Sequence, residues 1–403
     1  MEWGPVLRAM LRNKLGVVLI GLQIAFTMTV MVNAIYIINE RSRLMARPSG
    51  LDEPNTFHIT SVGYGEAFSE ERVVERDLLT LRGLPGVVNA TVINAIPVSR
   101  SGSSTGVSVR PGDTEAFVQT AQYYVDEHAL DALDLELVAG RNFVATDVRQ
   151  RPAGDFSVNP QVIITLALAE RLFPENPLAA INNTIYVTRQ FPTTVIGIVD
   201  RLQAPWPDTE FLEQSMLIPE NFINGSSTYL VRTEPGQRDR LMAQVEALLA
   251  DSGETRVIQE LSSLEDTREQ TYRIDSMMAT ILTVVIGVLV FITAMGIVGL
   301  AVFGINRRRR QIGTRRALGA TRLAVLRYFL VENLLISTMG VVLGAVLTIS
   351  FNVFLVQTFN LPRIDWYYTP VGMLVLILVG QLAVLGPADR ASRIPPALAT
   401  RNV

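Results

Sequence analysis
Eight arginines fall between Asn306 and Tyr328: Arg307, Arg308, Arg309, Arg310, Arg315, Arg316, Arg322 and Arg327, with no Asp or Glu among them. Guanidinium groups at that density bind carboxylates, phosphates or lipid headgroups. They make and break no bonds themselves, and no nucleophile, base and orienting group gather near them. In hydrocarbon each would cost roughly 2.5 to 3.5 kcal/mol, so the segment must lie in water or among headgroups. Long apolar stretches flank it on both sides, which makes it a short loop between two membrane spans. The positive-inside bias then assigns it to the cytoplasm.

The other chemically suggestive residues are weaker. His58 and His128 are far apart and lack partners at metal-ligand spacing, so no metal site is expected. Asp126, Glu127, Asp131, Asp134 and Glu136 form an acidic run read as the solvated face of a short helix, with attraction of a cationic peptide as the alternative. The chain holds no Cys, so an outer domain must rely on its own core rather than on disulfides.

Elements that position the Arg segment can be read from the charge pattern. Residues 40–275 carry 34 Asp and Glu against 20 Arg, a net of −14. The rest carries 15 basic and 4 acidic residues, a net of +11, and together these give the formal charge of −3. A membrane would separate those blocks into an outside and an inside. Four uncharged runs clear the ~20 residues a spanning helix needs: Leu15 to Ile38, Ser276 to Asn306, Asn333 to Pro362 and Trp366 to Ala388. The second and third are too long to lie wholly in lipid. Four spans place both termini beside the Arg segment, in keeping with Arg8, Arg12 and Lys14 before the first and Arg390, Arg393 and Arg401 after the last. The 24-residue first run exceeds a signal-peptide core, so cleavage is not expected.

The middle reads as mixed α+β in two subdomains. Strands are expected at Thr56 to Val62, Val87 to Val98, Phe117 to Val125, Gln161 to Ile164 and Thr193 to Val199. Helices are expected at Ser69 to Leu84, Leu166 to Phe173 and Gln237 to Ala250. Ser99 to Gly106 reads as a flexible Ser/Gly stretch. Ser262 to Asp275, free of Gly and Pro, and Glu40 to Ala46, ahead of Pro48, should prolong the first two spans as stiff stalks.

Arg307-Arg-Arg-Arg-Gln-Ile-Gly-Thr-Arg-Arg-Ala-Leu-Gly-Ala-Thr321, followed by Tyr328-Phe-Leu-Val-Glu-Asn333, resembles the signature of the FtsX/MacB class of ABC transporter permeases. Gly140-Arg-Asn-Phe143, Val162 to Phe173 and Thr194 to Val199 resemble the MacB-type periplasmic core, and Pro387-Ala-Asp-Arg-Ala391 with Pro396-Ala-Leu398 resembles the C-terminal tail of that family. Gln311 stands where the family usually has Glu, Thr165 where it usually has Asn, and the expected Gly near Leu178 to Ala180 is missing.

The resemblance implies a membrane protein with four transmembrane helices and a large mixed α+β extracytoplasmic domain between helices 1 and 2, joined by helical stalks. The corresponding segments are 1–47, the N-terminus, first span and stalk; 48–261, the periplasmic domain; 262–306, stalk and second span; 307–327, a cytoplasmic coupling segment; and 328–403, the last two spans and tail. It also implies the permease subunit of an ABC system in a bacterial inner membrane, exporting peptides, toxins or other periplasmic material. Alternatives are an FtsX-like regulator of a cell-wall enzyme, a lipoprotein-extracting permease, or a membrane sensor with no ATPase.

No G-x-x-x-x-G-K-[ST] occurs, so ATP and Mg are expected on a separate ATPase subunit and no cofactor on this chain. Coupling to that subunit is assigned to Arg307, Arg308, Arg309, Arg310, Ile312, Arg315, Arg316, Ala317, Leu318, Gly319, Ala320, Thr321 and Glu332. Gly319 should end one helix and Thr321 cap the next, Ile312, Ala317 and Leu318 should offer an apolar docking surface, and Glu332 either pairs with an Arg of the corner or snorkels into the headgroups. Gly340 and Gly344 form a G-x-x-x-G pair that admits a closely packed helix, a candidate seam between two copies. Further expected partners are a second permease subunit, identical or not, membrane lipid and, optionally, a periplasmic adaptor; nucleic acid is not among them.

Overall fold
The computed structural model describes residues 14–113, 116–152, 154–155, 157–359 and 363–395. Arg8, Arg12, Arg401 and the Pro396-Ala-Leu398 motif lie outside them. Helix α1 (Lys14–Met45) is followed by β1 (Thr56–Gly63), α2 (Glu70–Arg82), β2 (Val87–Ile93), β3 (Ser103–Ser108), β4 (Val118–Val125) and α3 (Ala129–Leu133). Next come β5 (Leu137–Gly140), β6 (Arg149–Pro152), β7 (Gln161–Thr165), α4 (Leu166–Leu172), β8 (Thr184–Val187), β9 (Phe191–Val199) and β10 (Ser215–Ile223). The chain ends with β11 (Ser226–Thr233), α5 (Arg238–Ala250), β12 (Arg256–Ser263), α6 (Leu264–Arg307), α7 (Arg309–Ala317), α8 (Arg322–Phe359) and α9 (Tyr368–Ser392). Contacts divide it into two compact units, Ala46–Arg273 and a helical unit made of the residues up to Met45 and those from Ile274 onward.

The first unit contains two β substructures. Strands β12, β1, β11 and β2 lie side by side in that order and are antiparallel throughout. Helices follow β1 and β11, so the layer is a split βαβ motif with both helices available to cover one face. The apolar spacing read for α2 is used for this purpose: Val73, Val74, Leu78 and Leu81 are buried, together with Leu241, Val245 and Leu249 of α5, against Phe57, Ile59, Tyr229 and Val231. A charged pair lies inside this layer. Asp77 accepts from Tyr229 Oη at 2.9 Å and pairs with Arg256, whose side chain is 1% exposed and whose Nε donates to Leu249 O.

Between β2 and β11 the chain builds the second substructure. Pairings run from β4 to β3, β8, β9, β7 and β10 and then back to β4, closing a small barrel. Closure removes free sheet edges, and Val107, Val162, Ile164, Ile185, Val195, Ile198 and Met216 fill it with Leu168, Ala169 and Leu172 of α4. Thr165, where the resemblance leads one to expect Asn, accepts from Ser215 N and donates to Glu213 O, joining β7 to the start of β10.

Three expectations for this unit need correction. Ser99 to Gly106 is not a flexible stretch: β3 begins within it, at Ser103. Its small residues hid the strand because the partner supplies the bulk, with the Phe117 ring lying so close over Gly106 that a Cβ would sit 1.6 Å from it. The strand expected to reach Val98 ends at Ile93, and Val98 turns into the left-handed region at φ 57°. The acidic run is not wholly solvated either. Asp126 is 3% exposed and holds Arg82, Thr91 Oγ1 and His128 N. Burial pushes its carboxyl above the ordinary value, with Arg82 opposing that shift.

In the helical unit α1, α6, α8 and α9 are each long and apolar enough to cross a membrane. At 1.5 Å per residue the 44 residues of α6 extend to ~66 Å, about twice a hydrocarbon core. Ile20, Ile24, Met28 and Met31 of α1 are buried with Ile336 and Val341 of α8 and Leu376 and Val384 of α9. Gly340 and Gly344 form the closest seam. A Cβ on Gly340 would be 2.8 Å from Ile24 Cβ and 3.1 Å from Gly21 O, and one on Gly344 would be 2.9 Å from Met28 Cβ. α1 of the same chain lies against this pair, so the groove seats a helix of this chain and not one of a second copy. Buried polar groups pair across helices, Thr27 with Thr293 at 2.8 Å and Asn352 with Asn33 at 3.4 Å.

Candidate coupling site at the Arg-rich corner
The corner begins where α6 ends at Arg307 and turns through Arg308 into the nine-residue α7. Gly319 adopts φ 95°, which an L-residue enters only at a cost. The Ala320 amide donates to Arg315 O at 3.0 Å and the Gly319 amide to Arg316 O at 3.2 Å. This 6→1 and 5→2 pair is a Schellman motif, and it satisfies carbonyls that the helix end would otherwise leave orphaned. Two residues on, Thr321 Oγ1 accepts from the Ala324 amide at 3.2 Å and caps α8. Both ends of the turn are therefore fixed by residues whose types already signalled it.

Side chains lock the corner to α8. Arg308 Nη1 lies 3.0 and 2.9 Å from the two carboxylate oxygens of Glu332 and 3.3 Å from Tyr328 Oη. The two side chains are only 20% and 15% exposed, so water screens the pair less than it would a surface pair. The Arg315 guanidinium stacks 5.3 Å from the Tyr328 ring centre. Ile312 corrects the sequence reading: at 6% exposed it is packed into the helical core with Val325 and Phe329 and is not part of a docking surface. One face of α7 must anchor the corner, and Ile312 points that way.

What remains outside is Leu318, 83% exposed, with exposed Ala317 and with Leu323, 71% exposed. Leu323 was missed because it lies beyond the motif. Arg307, Arg309, Arg310, Arg315 and Arg322 are exposed around this tip, whereas Arg316 is half-buried and donates to Ala320 O at 3.4 Å. Exposed leucines and arginines thus follow one another along a turn that is hydrogen-bonded at both ends.

The start of α6 is bonded by residues that sequence reasoning passed over. Thr271 Oγ1 donates to Val98 O at 2.6 Å, and Arg100 Nε donates to Thr271 O at 3.0 Å. Both Val98 and Arg100 have positive φ, at 57° and 64°. For a β-branched residue this conformation is costly and persists only where surrounding bonds enforce it. Arg268 bonds Glu53 and the carbonyl of Arg47, and Thr267 Oγ1 lies 2.9 Å from His58 Nε2. The only sequence clue was a polar helix start rich in Thr and Arg. Within the helical unit, Asp275 of the same helix pairs with Arg41 of α1 at 2.8 Å.

Comparison with known proteins gives the family of the chain. Residues 16–248 match the MacB-like periplasmic core domain, and residues 283–396 match the FtsX-like permease C-terminal domain. The ABC transporter permease YknZ of Bacillus subtilis is 22% identical over 344 residues, which cover 83% of this chain and 80% of that protein. The macrolide export ATP-binding/permease protein MacB of Campylobacter jejuni is 25% identical over 294 residues, 68% of this chain but 42% of that protein, so the chain spans under half of that relative. The crystal structure of the periplasmic region of MacB from Actinobacillus actinomycetemcomitans is 19% identical with a TM-score of 0.35, over 57% of this chain and 98% of that one. The periplasmic-core match alone spans more than half of the sequence, and the four long apolar helices complete the picture of a multi-pass membrane protein with a periplasmic domain. The chain belongs to the MacB-like, FtsX-type family of ABC transporter permeases.

Proposed function
We propose that this permease converts ATP hydrolysis by a separate ATPase subunit into movement of its periplasmic domain, with the α6–α8 corner as the point where force enters. ATP and Mg belong to that partner in this reading, and two permeases stand side by side above two ATPases in a bacterial inner membrane. The termini and the corner face the cytoplasm, as the Arg excess favours. The observation that carries the proposal is the corner itself: a turn fixed by a Schellman motif, a Thr cap and the Arg308–Glu332 pair, with Leu318 and Leu323 exposed among arginines. An exposed apolar turn can seat in a cleft, and its arginines can meet carboxylates on the partner or lipid phosphates.

Work done on the corner would travel along α6, which is unbroken from Arg307 back to Leu264, where Thr267, Arg268 and Thr271 are bonded into the periplasmic unit. Export of peptides, toxins or other periplasmic material is the reading we favour, since several relatives are named for macrolide export. Regulation of a cell-wall enzyme and lipoprotein extraction use the same lever with a different outcome.

The test is isolation of the intact complex and assay of its ATPase. A P-loop companion whose hydrolysis the permease stimulates, with stimulation lost in Leu318→Glu, is the expected result. Absence of such a companion would leave a membrane sensor, and unchanged stimulation in the variant would remove the docking role. ATP-dependent movement of a labelled peptide separates export from regulation.

A further inference from the structure
We propose that the ends of α8 and α9 far from the Arg-rich corner form a binding site for one anionic glycerophospholipid, with Arg363 on its phosphate and an acyl chain along Ile349, Val353 and Val356. A cleft of about 630 Å³ opens there, walled by those three α8 residues, with Arg363 and Trp366 at its mouth. Helix α8 starts at the corner and crosses the bilayer once, so residues 363–367 lie at the opposite membrane face, the level of glycerol and phosphate. The inference rests on that crossing and not on ATP coupling.

The mouth is built rather than loose. The Ile364 amide donates to Asn352 Oδ1 at 3.2 Å, and Asn352, 5% exposed, in turn donates to Asn33 of α1. Arg363 is thereby held at the rim, where it is exposed and makes no ion pair or hydrogen bond with another described residue. Trp366 is 84% exposed beside it, an indole placed where interfacial Trp residues sit among headgroups. Asp365, the nearest carboxylate in sequence, lies beside Tyr367 and does not line the cleft.

Charge selects the occupant. A second copy of the helical unit would have to offer Arg363 an acid, yet among the described residues of that unit the acids are already engaged, Glu40 with Arg43, Asp275 with Arg41, Glu332 with Arg308 and Asp389 with Arg393, leaving Asp365. An anionic phospholipid supplies both the phosphate and the apolar chain that the cleft can take.

Only Trp3, Trp206 and Trp366 are present, so Trp3→Phe with Trp206→Phe leaves Trp366 as the sole reporter. This full-length protein is reconstituted in phosphatidylcholine vesicles containing either dibrominated phosphatidylglycerol or dibrominated phosphatidylcholine, and Trp366 quenching is titrated. Phosphatidylglycerol should be preferred about fivefold, the scale of one basic residue at an anionic site, and Arg363→Gln should bring the ratio to about one. Equal quenching by the two lipids, or a preference that survives Arg363→Gln, overturns the site. So does absence of quenching by either lipid, which would put the loop outside the bilayer. ATPase stimulation, measured separately, stands or falls on its own.

Discussion

Glu332→Gln tests whether the corner is rigid because of its ion pair. The substitution keeps the side-chain volume and one acceptor but removes the charge that faces Arg308 Nη1 at 2.9 and 3.0 Å. Breaking a fully buried pair costs about 3 to 5 kcal/mol, and an exposed pair is worth 0 to 1. With side chains 15% and 20% exposed, this pair lies between those limits, at about 2 kcal/mol. The loss falls on local opening of α7, whose Ile312 amide donates to Arg308 O at 3.0 Å. Hydrogen exchange at that amide should then speed up ~30-fold, since each 1.4 kcal/mol is a factor of ten. Replacing both partners, Arg308→Met with Glu332→Met, should restore most of the protection, because no charge is left buried without its counterpart. Exchange in Glu332→Gln that matches the parent protein would refute the argument that the pair holds the corner. A double variant as unprotected as the single one would show that the effect is not electrostatic.

The remaining predictions concern other parts of the chain. Leu318→Glu should lower ATPase stimulation about tenfold or more, the scale of a lost hot spot, while thermal unfolding of the permease stays unchanged, since the side chain is 83% exposed. Gly340→Leu should cost about 1 to 3 kcal/mol or more by forcing α1 from α8, read as a lower melting midpoint in detergent; Gly287→Leu, where a Cβ meets nothing within 4 Å, is the control. Arg256→Met should destabilise the periplasmic unit by about 3 to 5 kcal/mol because Asp77 stays buried, and Trp206 fluorescence on denaturant titration reports it. Burial lowers the His58 imidazole below its ordinary value, although Glu260 opposes the shift. The neutral form is favoured on folding, so this contribution is complete above pH ~6.5 and is lost as pH falls from there toward the folded-state value. His58→Gln should flatten that acid limb in fluorescence-monitored unfolding, and an unchanged limb would assign it to other groups.

The four spans, the position of the corner and its two caps were legible in the sequence because each depends on neighbours along the chain. Hydrocarbon selects runs without charge, eight arginines without an acid must stay wet, and Gly319 and Thr321 act on the amides and carbonyls of their own turn. Amphipathic helices α2 and α5 were visible for the same reason, since their periodicity is local. Folding decided what depends on distant partners. Ile312 faces inward because Val325 and Phe329 are there to receive it, and Gly340 and Gly344 seat α1 because Ile24 and Met28 lie across from them. β3 is a strand because Phe117 covers Gly106, and the backbone of Val98 and Arg100 is bent to bond a helix that begins more than 150 residues later. Single-residue chemistry and short-range spacing carry no record of which remote surface will arrive. Only close packing in three dimensions chooses Arg308, out of eight equivalent cations, as the partner of Glu332.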